Sequence, residues 1–280
     1  MSGAGAAGPA ALAAALLAGS LGLARAADAA RDPAARAAEG APPLGAATVL
    51  AVDLLWLRAD ALFAGDRWPE MLAAYEAAGR VAPRLSASWE FRGFHLAYNL
   101  AGAAAEGEDR DRWVLEGVRV LEEGLRRNPE ARDLRAYLAR TLFDRSERWP
   151  VVRAALRRAR GREPLDEAVD LLAGLVAADP GDGSAVLWLV DALIARGRRT
   201  LDAAAPGTPA AAADFRRAAE ALRAWAPRAA PDGARAAETM ARGADGLVRA
   251  AETSDAAERA RILREVDAPA PAEDGGKDGK

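Results

Sequence analysis

The sequence predicts an all-α protein, and three observations predict it. Alanine dominates a chain of 280 residues that is 51% hydrophobic but only 5% aromatic; alanine is the best helix former because it loses no side-chain entropy on entering a helix. Val, Ile and Thr are sparse, and no segment alternates apolar and polar residues for long, so the signature of a half-buried strand is missing. Apolar residues recur instead at steps of three and four, in stretches closed by Gly, Pro or a charged run. The length suits one large domain or two small ones.

The elements follow in order. Pro9–Leu23 is an uncharged apolar run followed by ARAA at Ala24–Ala27. A run of this length before small residues at Ala24 and Ala26 has the form of a cleaved secretory signal, although MSGAGAAG carries no Lys or Arg. The alternative is an uncleaved anchor: Gly5–Ala24 has about the 20 residues that span a bilayer, and the trailing Arg25, Arg31 and Arg36 would favour a cytoplasmic carboxyl side. A plain Ala-rich surface helix is the third reading. Residues 1–26 are therefore expected to be a signal peptide or membrane anchor, and 27–46, with Pro33, Pro42 and Pro43, a linker.

From Leu50 the pattern changes. Leu50–Ala64 reads as a helix, with Leu55, Ala59 and Leu62 on one face, broken by GDR at Gly65–Arg67. Trp68–Ala82 restarts with Pro69 in the first turn, where its missing N–H is harmless, and Pro83 ends it. Met71, Tyr75 and Ala78 form its stripe. This is a helix–turn–helix unit of about the 34 residues of a tetratricopeptide repeat.

The stretch WEFRGFHLAYN at Trp89–Asn99 opens the next unit, with Trp89, Gly93 and Leu96 in the repeat's large–small–large register. Phe91, Phe94 and Tyr98 make a second apolar stripe, and Arg92, His95 and Asn99 a narrow polar strip, as suits a helix sandwiched between neighbours. Its partner helix is expected over Trp113–Arg127, after a loop EGEDRDR at Glu106–Arg112, closing at Asn128–Pro129.

A third unit starts near Asp133 with Leu138, Ala139 and Leu142, and DRSER at Asp144–Arg148 is expected to break it. Pro150–Arg160 reads as an extra basic helix. Pro164–Ala178, with Ala168, Leu172 and Leu175, is the clearest second-helix pattern. Val186, Leu189, Val190 and Leu193 open a fourth unit, stopped at Gly197. Pro206–Pro209 reads as a loop. Phe215, Ala219, Leu222 and Trp225 mark a further helix, and weaker ones follow near Gly233–Ala251 and Asp255–Val266. Residues 47–200 are thus expected to be repeats, 201–266 capping helices, since terminal repeats are atypical, and 267–280 a disordered tail.

Leu54–Leu100, through LLWLRADALFAGDRW, VAPR, W-x-x-x-G and LAYNL, is similar to a family of bacterial tetratricopeptide-type proteins with an N-terminal hydrophobic segment. The resemblance spans roughly Ala47–Gly197. It implies a right-handed α-solenoid of antiparallel helix pairs, a place in the cell envelope and an assembly role, and it carries over no catalytic residue.

Composition excludes several functions. The net charge is −3, so the basic surface that displaces counterions from nucleic-acid phosphate is not expected. Positive charge is nearly all Arg, with Lys only at Lys277 and Lys280, which reads as the bias of a GC-rich genome. Absence of cysteine removes disulfides, thiolate zinc sites and a Cys nucleophile.

Candidate chemistry is thin. His95, the only imidazole, would need a carboxylate or further ligands beside it to act as a base or bind a metal; alone among aromatics it reads as a hydrogen-bonded structural residue. Glu108, Asp109 and Asp111 lack the ligand alternation and central Gly of a calcium loop, and GDGS at Gly181–Ser184 follows no strand, so it is a turn rather than a phosphate loop.

Repeat register, by contrast, places Asp53, Trp56, Asp60 and Phe63 on a concave groove, with Glu90, Phe94 and Tyr98, then Asp133, Arg140 and Asp144, then Asp191. Six carboxylates and one arginine among aromatic anchors suit a basic or amphipathic peptide segment of a protein partner. The expected function is a non-catalytic interaction scaffold of the bacterial cell envelope, needing no cofactor or metal. The alternatives are a soluble cytoplasmic adaptor with the same groove, or a structural subunit of a larger envelope assembly that docks through an end, where exposed Phe215, Leu222 and Trp225 would mark the contact.

Overall fold

The computed structural model describes residues 45–104, 108–203 and 207–268. The expected signal or anchor at 1–26, nearly all of the 27–46 linker and nearly all of the 267–280 tail lie outside the described residues. Every regular element among the described residues is helical. None of those helices is long and apolar enough to cross a membrane. The chain divides into two compact units between Leu134 and Arg135.

The first unit holds α1 (Gly45–Ala64), α2 (Trp68–Val81), α3 (Ser86–Phe94, continued by a π-helical segment His95–Leu100 and a last turn Ala101–Ala103) and α4 (Glu108–Arg127). α1 begins at Gly45, taking in the end of the expected linker. The GDR turn puts Asp66 in the left-handed region at φ 55°, a conformation Asp tolerates better than most residues. Pro69 then opens α2 as expected. Ala59 and Leu62 of α1 pack on Met71, Ala74 and Tyr75 of α2.

α3 and α4 approach closely through glycines. A β-carbon on Gly93 would lie 2.6 Å from Leu121, and one on Gly124 would lie 2.6 Å from Trp89. Trp89 is buried and its indole N–H donates to the Pro83 carbonyl at 3.0 Å. The Asn128 amide donates to that same carbonyl at 3.1 Å and to the Gly124 carbonyl at 3.0 Å, capping α4. Arg110 closes α3 by donating to the carbonyls of Ala101 and Ala104. The EGEDRDR run is therefore not all loop: from Glu108 onward it is helix, and Asp109, Arg110, Asp111 and Arg112 line exposed and half-exposed positions of its first turns.

α5 (Arg132–Arg148) begins in the first unit, and its packing from Arg135 on belongs to the second, with α6 (Pro150–Arg160), α7 (Pro164–Ala178), α8 (Gly183–Ala203), α9 (Pro209–Trp225), α10 (Pro231–Glu252) and α11 (Ala256–Asp267). A short 3₁₀ turn, Ala226–Arg228, joins α9 to α10. α6 ends at Gly161 in the left-handed region, φ 71°, which glycine adopts without strain. The core joins Leu165, Val169 and Leu172 of α7 to Val186, Leu189 and Leu193 of α8, and these to Leu222 of α9 and Ala241 of α10. Phe215, Leu247 and Leu201 head a second cluster, against which Leu263 and Val266 of α11 close.

Three expectations are corrected here. DRSER does not break α5, which runs to Arg148; Glu147 and Arg148 are exposed, Asp144 and Arg145 half-buried along the helix, and the Arg140–Asp144 pair spans one turn at 3.2 Å. Gly197 does not stop α8, which runs to Ala203; it is the hollow that receives Phe215, whose ring would stand 2.6 Å from a β-carbon there. Phe215 and Leu222 are fully buried, so they cannot mark an exposed end.

Candidate functional site

The first unit gathers an aromatic seam where α1, α2 and α3 meet. The 3.6-residue period turns Val52, Ala59 and Leu62 of α1 into the core, and Trp56 and Phe63 toward α3. Trp56 meets Phe91 edge-on at 4.9 Å and Tyr75 at 6.2 Å. Phe63 lies 5.2 Å from both Trp68 and His95. Tyr75 stacks on His95 at 5.4 Å. Such ring pairs add to the area they bury. The seam is not sealed: Phe63 is 41% and Phe91 40% exposed. The Trp56 indole N–H is buried with no acceptor among the described residues, an uncommon condition in a folded protein.

The strip Arg92, His95 and Asn99, expected to be the polar margin of α3, turns inward. His95 is buried; the Asn99 amide donates to its Nδ1 at 2.7 Å, which leaves the ring proton on Nε2, 3.5 Å from the Tyr75 hydroxyl. His95 and Asn99 stand four residues apart within the π-helical segment and share a helix face, so the amide sits over the imidazole. Burial pushes the His95 pKa down, against the pull of the Asp60 charge, so the ring is neutral at pH 7. Burial, helped by Asp60, pushes the Tyr75 hydroxyl up to about 12. Arg92 reaches Glu76 of α2 at 3.4 Å.

Of the residues expected to line one groove, Trp56, Phe63 and Phe94 share the ring contacts of this seam or its edge, Phe94 stacking on Tyr98 at 4.8 Å. Asp60 is exposed on α1 beside them, Asp53 is half-exposed two turns earlier, and Glu90 is half-buried on α3. Asp133 is exposed in the first turn of α5, where a carboxylate offsets the unpaired amide donors of a helix start. Tyr75, Phe91 and Asn99 belong to the seam but were not among the expected groove residues. Tyr75 on the α2 stripe was the available signal, since a phenol on a buried face needs a polar neighbour.

Arg140, Asp144 and Asp191 fall in the second unit and form their own cluster. The Arg140 guanidinium pairs with Asp144 and lies 5.0 Å from the Trp188 ring centre. Asp191 keeps a solvent-exposed face, yet crowding by the surrounding protein, and then the Asp144 charge, raise its pKa above the ordinary carboxylate value, with Arg140 opposing. Asp191 also edges a cleft of about 760 Å³ lined by Phe143 and Ile194 and rimmed by Glu147, Arg198 and Arg199.

The remaining candidates resolve locally. Asp109 is an exposed residue paired with Arg112 at 3.4 Å. In GDGS, Asp182 accepts from the Ala185 N–H at 3.1 Å and so opens α8. Among the described residues no three His, Asp or Glu side chains gather in a way that could hold a metal ion. No family model matches the chain, and no curated protein is similar to it.

Proposed function

We propose that this chain is a non-catalytic interaction scaffold of the bacterial cell envelope, a right-handed tetratricopeptide-like α-solenoid that captures a basic, amphipathic segment of a partner protein. The observation that carries the reading is the open aromatic seam of the first unit: half-exposed Phe63 and Phe91 over Trp56, with the Asp60 carboxylate beside them. Rigid rings give an apolar anchor at low entropic cost, and an adjacent acid selects a cationic flank.

The solenoid reading is supported by the consecutive packed pairs α1/α2 and α3/α4, and by small residues at their crossings, Ala59, Gly93 and Gly117. The large–small–large spacing of Leu55, Ala59 and Leu62, and of Trp89, Gly93 and Leu96, points the same way. The envelope placement rests on the apolar run Pro9–Leu23.

The test is capture of synthetic peptides. A panel of amphipathic helical peptides of equal length and hydrophobicity, one set Lys/Arg-rich and one Asp/Glu-rich, is titrated against the purified chain with Trp fluorescence as readout. The basic set should bind, and Asp60→Lys with Glu90→Lys should weaken it and flatten its salt dependence. Equal binding of both sets, or no effect of the charge reversals, removes the reading. Membrane fractionation of the full chain beside one lacking Met1–Ala26 tests the placement; an unchanged soluble distribution would favour the cytoplasmic adaptor.

A further inference from the structure

The outward face of α1 carries a leucine stripe that no other described helix covers. Leu50, Leu54 and Leu57 are 38%, 52% and 51% exposed, and exposed Ala61 and Ala64 continue the line. At about 100° per residue this face lies opposite the buried Ala59. A helix face left to water is ordinarily polar.

The spacing is that of a coiled-coil seam. Leu50, Leu54, Leu57, Ala61 and Ala64 fall at steps of four, three, four and three, the d, a, d, a, d positions of a heptad. The flanking g positions are then Asp53 and Asp60, and Arg58 is at e. Asp53 and Arg58 have no ion-pair partner among the described residues.

We infer that α1 pairs with α1 of a second copy of this chain, in parallel and in register, through Leu50, Leu54 and Leu57. The charges choose both partner and direction. In a parallel pair each g residue faces the e residue five positions later on the other strand. Asp53 to Arg58 is that interval, with opposite signs, and two-fold symmetry makes the bridge twice. An antiparallel pair would set g against g, bringing Asp53 and Asp60 of one copy toward those of the other, acid against acid. The seam is only about four turns long, with leucine in the first two, so the dimer is a weak, concentration-dependent one.

Because the chain has no cysteine, the register can be read covalently. Leu54→Cys in the full chain should oxidise to an intermolecular disulfide, since a positions of parallel in-register helices bring their β-carbons within reach of one. Ala73→Cys, on the exposed surface of α2, should not. Sedimentation of the unmodified full chain between about 1 and about 100 μM, where a small interface dissociates, should show monomer passing to dimer. Leu54→Glu with Leu57→Glu should abolish the dimer while circular dichroism stays helical. Arg58→Asp should weaken it several-fold, and Asp53→Arg with Arg58→Asp should restore it.

A monomer at every concentration, including one whose stripe is covered by residues 1–44 of its own chain, overturns the inference. So does a dimer that survives the two glutamates, or one in which position 54 fails to cross-link. Peptide capture reads Asp60 and Glu90, and dimerisation reads Arg58 and Leu54, so failure of either leaves the other standing.

Discussion

The carbonyl oxygen of Gly93 lies 2.8 Å from the point where a β-carbon on Gly117 would stand, and the Ala97 methyl lies at the same distance. Gly117→Ala therefore drives a methyl into the backbone of α3, which cannot swing aside as a long side chain could. The expected loss is about 1–3 kcal/mol, the usual cost of overpacking, and Gly93→Leu should lose at least as much against Leu121. Thermal denaturation checks both; an unchanged melting temperature for either would remove the close crossing of α3 and α4.

Gly174 is the contrast. It sits on exposed α7 surface, and a β-carbon there would meet nothing within 4 Å. Gly174→Ala should stabilise the protein by about 0.5–1 kcal/mol, because alanine lowers the entropy lost on forming the helix. A melting temperature that falls would mean that α7 is covered at that point.

Arg196 of α8 holds two helices at once. Its Nε and Nη2 donate to Asp214 of α9 at 2.8 and 2.6 Å, and its Nη1 to Asp166 of α7 at 3.2 Å. Asp214 is buried, and its hydrogen bonds to Arg196, with the attraction between the charges, hold the Arg196 pKa above its ordinary value despite burial. Asp214→Leu leaves the partly buried Arg196 with only Asp166 as partner and should cost about 3 kcal/mol, whereas Asp214→Leu with Arg196→Met should fall within about 1 kcal/mol of the parent. Urea denaturation of Asp214→Leu, Arg196→Met and the double variant closes the cycle; a double-variant loss equal to the sum of the single losses would mean that the pair is solvated.

The helices are legible in the sequence because each is written locally. Proline stands in the first turns of α2, α6, α7, α9 and α10, and the apolar period of α7 gives its bounds without revision. Gly197 misleads because a glycine inside a helical pattern signals either an end or a close contact, and the contact, Phe215, stands on another helix. DRSER misleads because a run of charges looks the same in a loop and along a helix. The candidate site is legible only in part. Trp56 and Phe63 follow from the period of α1, but the period of α3 changes at the π-helical segment. A 3.6-residue wheel therefore cannot show that His95 and Asn99 face inward, nor that Tyr75 meets them.

His95 makes the first unit sensitive to acid. Its pKa in the folded protein is pushed below the ordinary 6.5 by burial, so between those two values the unfolded chain binds the proton more readily. Stability therefore falls as pH drops through 6.5 and continues to fall until the folded pKa is passed, after which this residue contributes no further change. A protonated ring would also lose its role as acceptor for the Asn99 amide at 2.7 Å. His95→Gln keeps a polar, uncharged group in the seam, so its melting temperature should decline less than the parent's over the same interval, while both follow the same carboxylate-driven fall at lower pH. Parallel melting curves in matched buffers from neutral pH downward measure the difference. If the two proteins lose stability in step between about pH 7 and about pH 5, the imidazole is not held neutral by its surroundings, and the packing described for Tyr75, Phe63 and His95 is wrong.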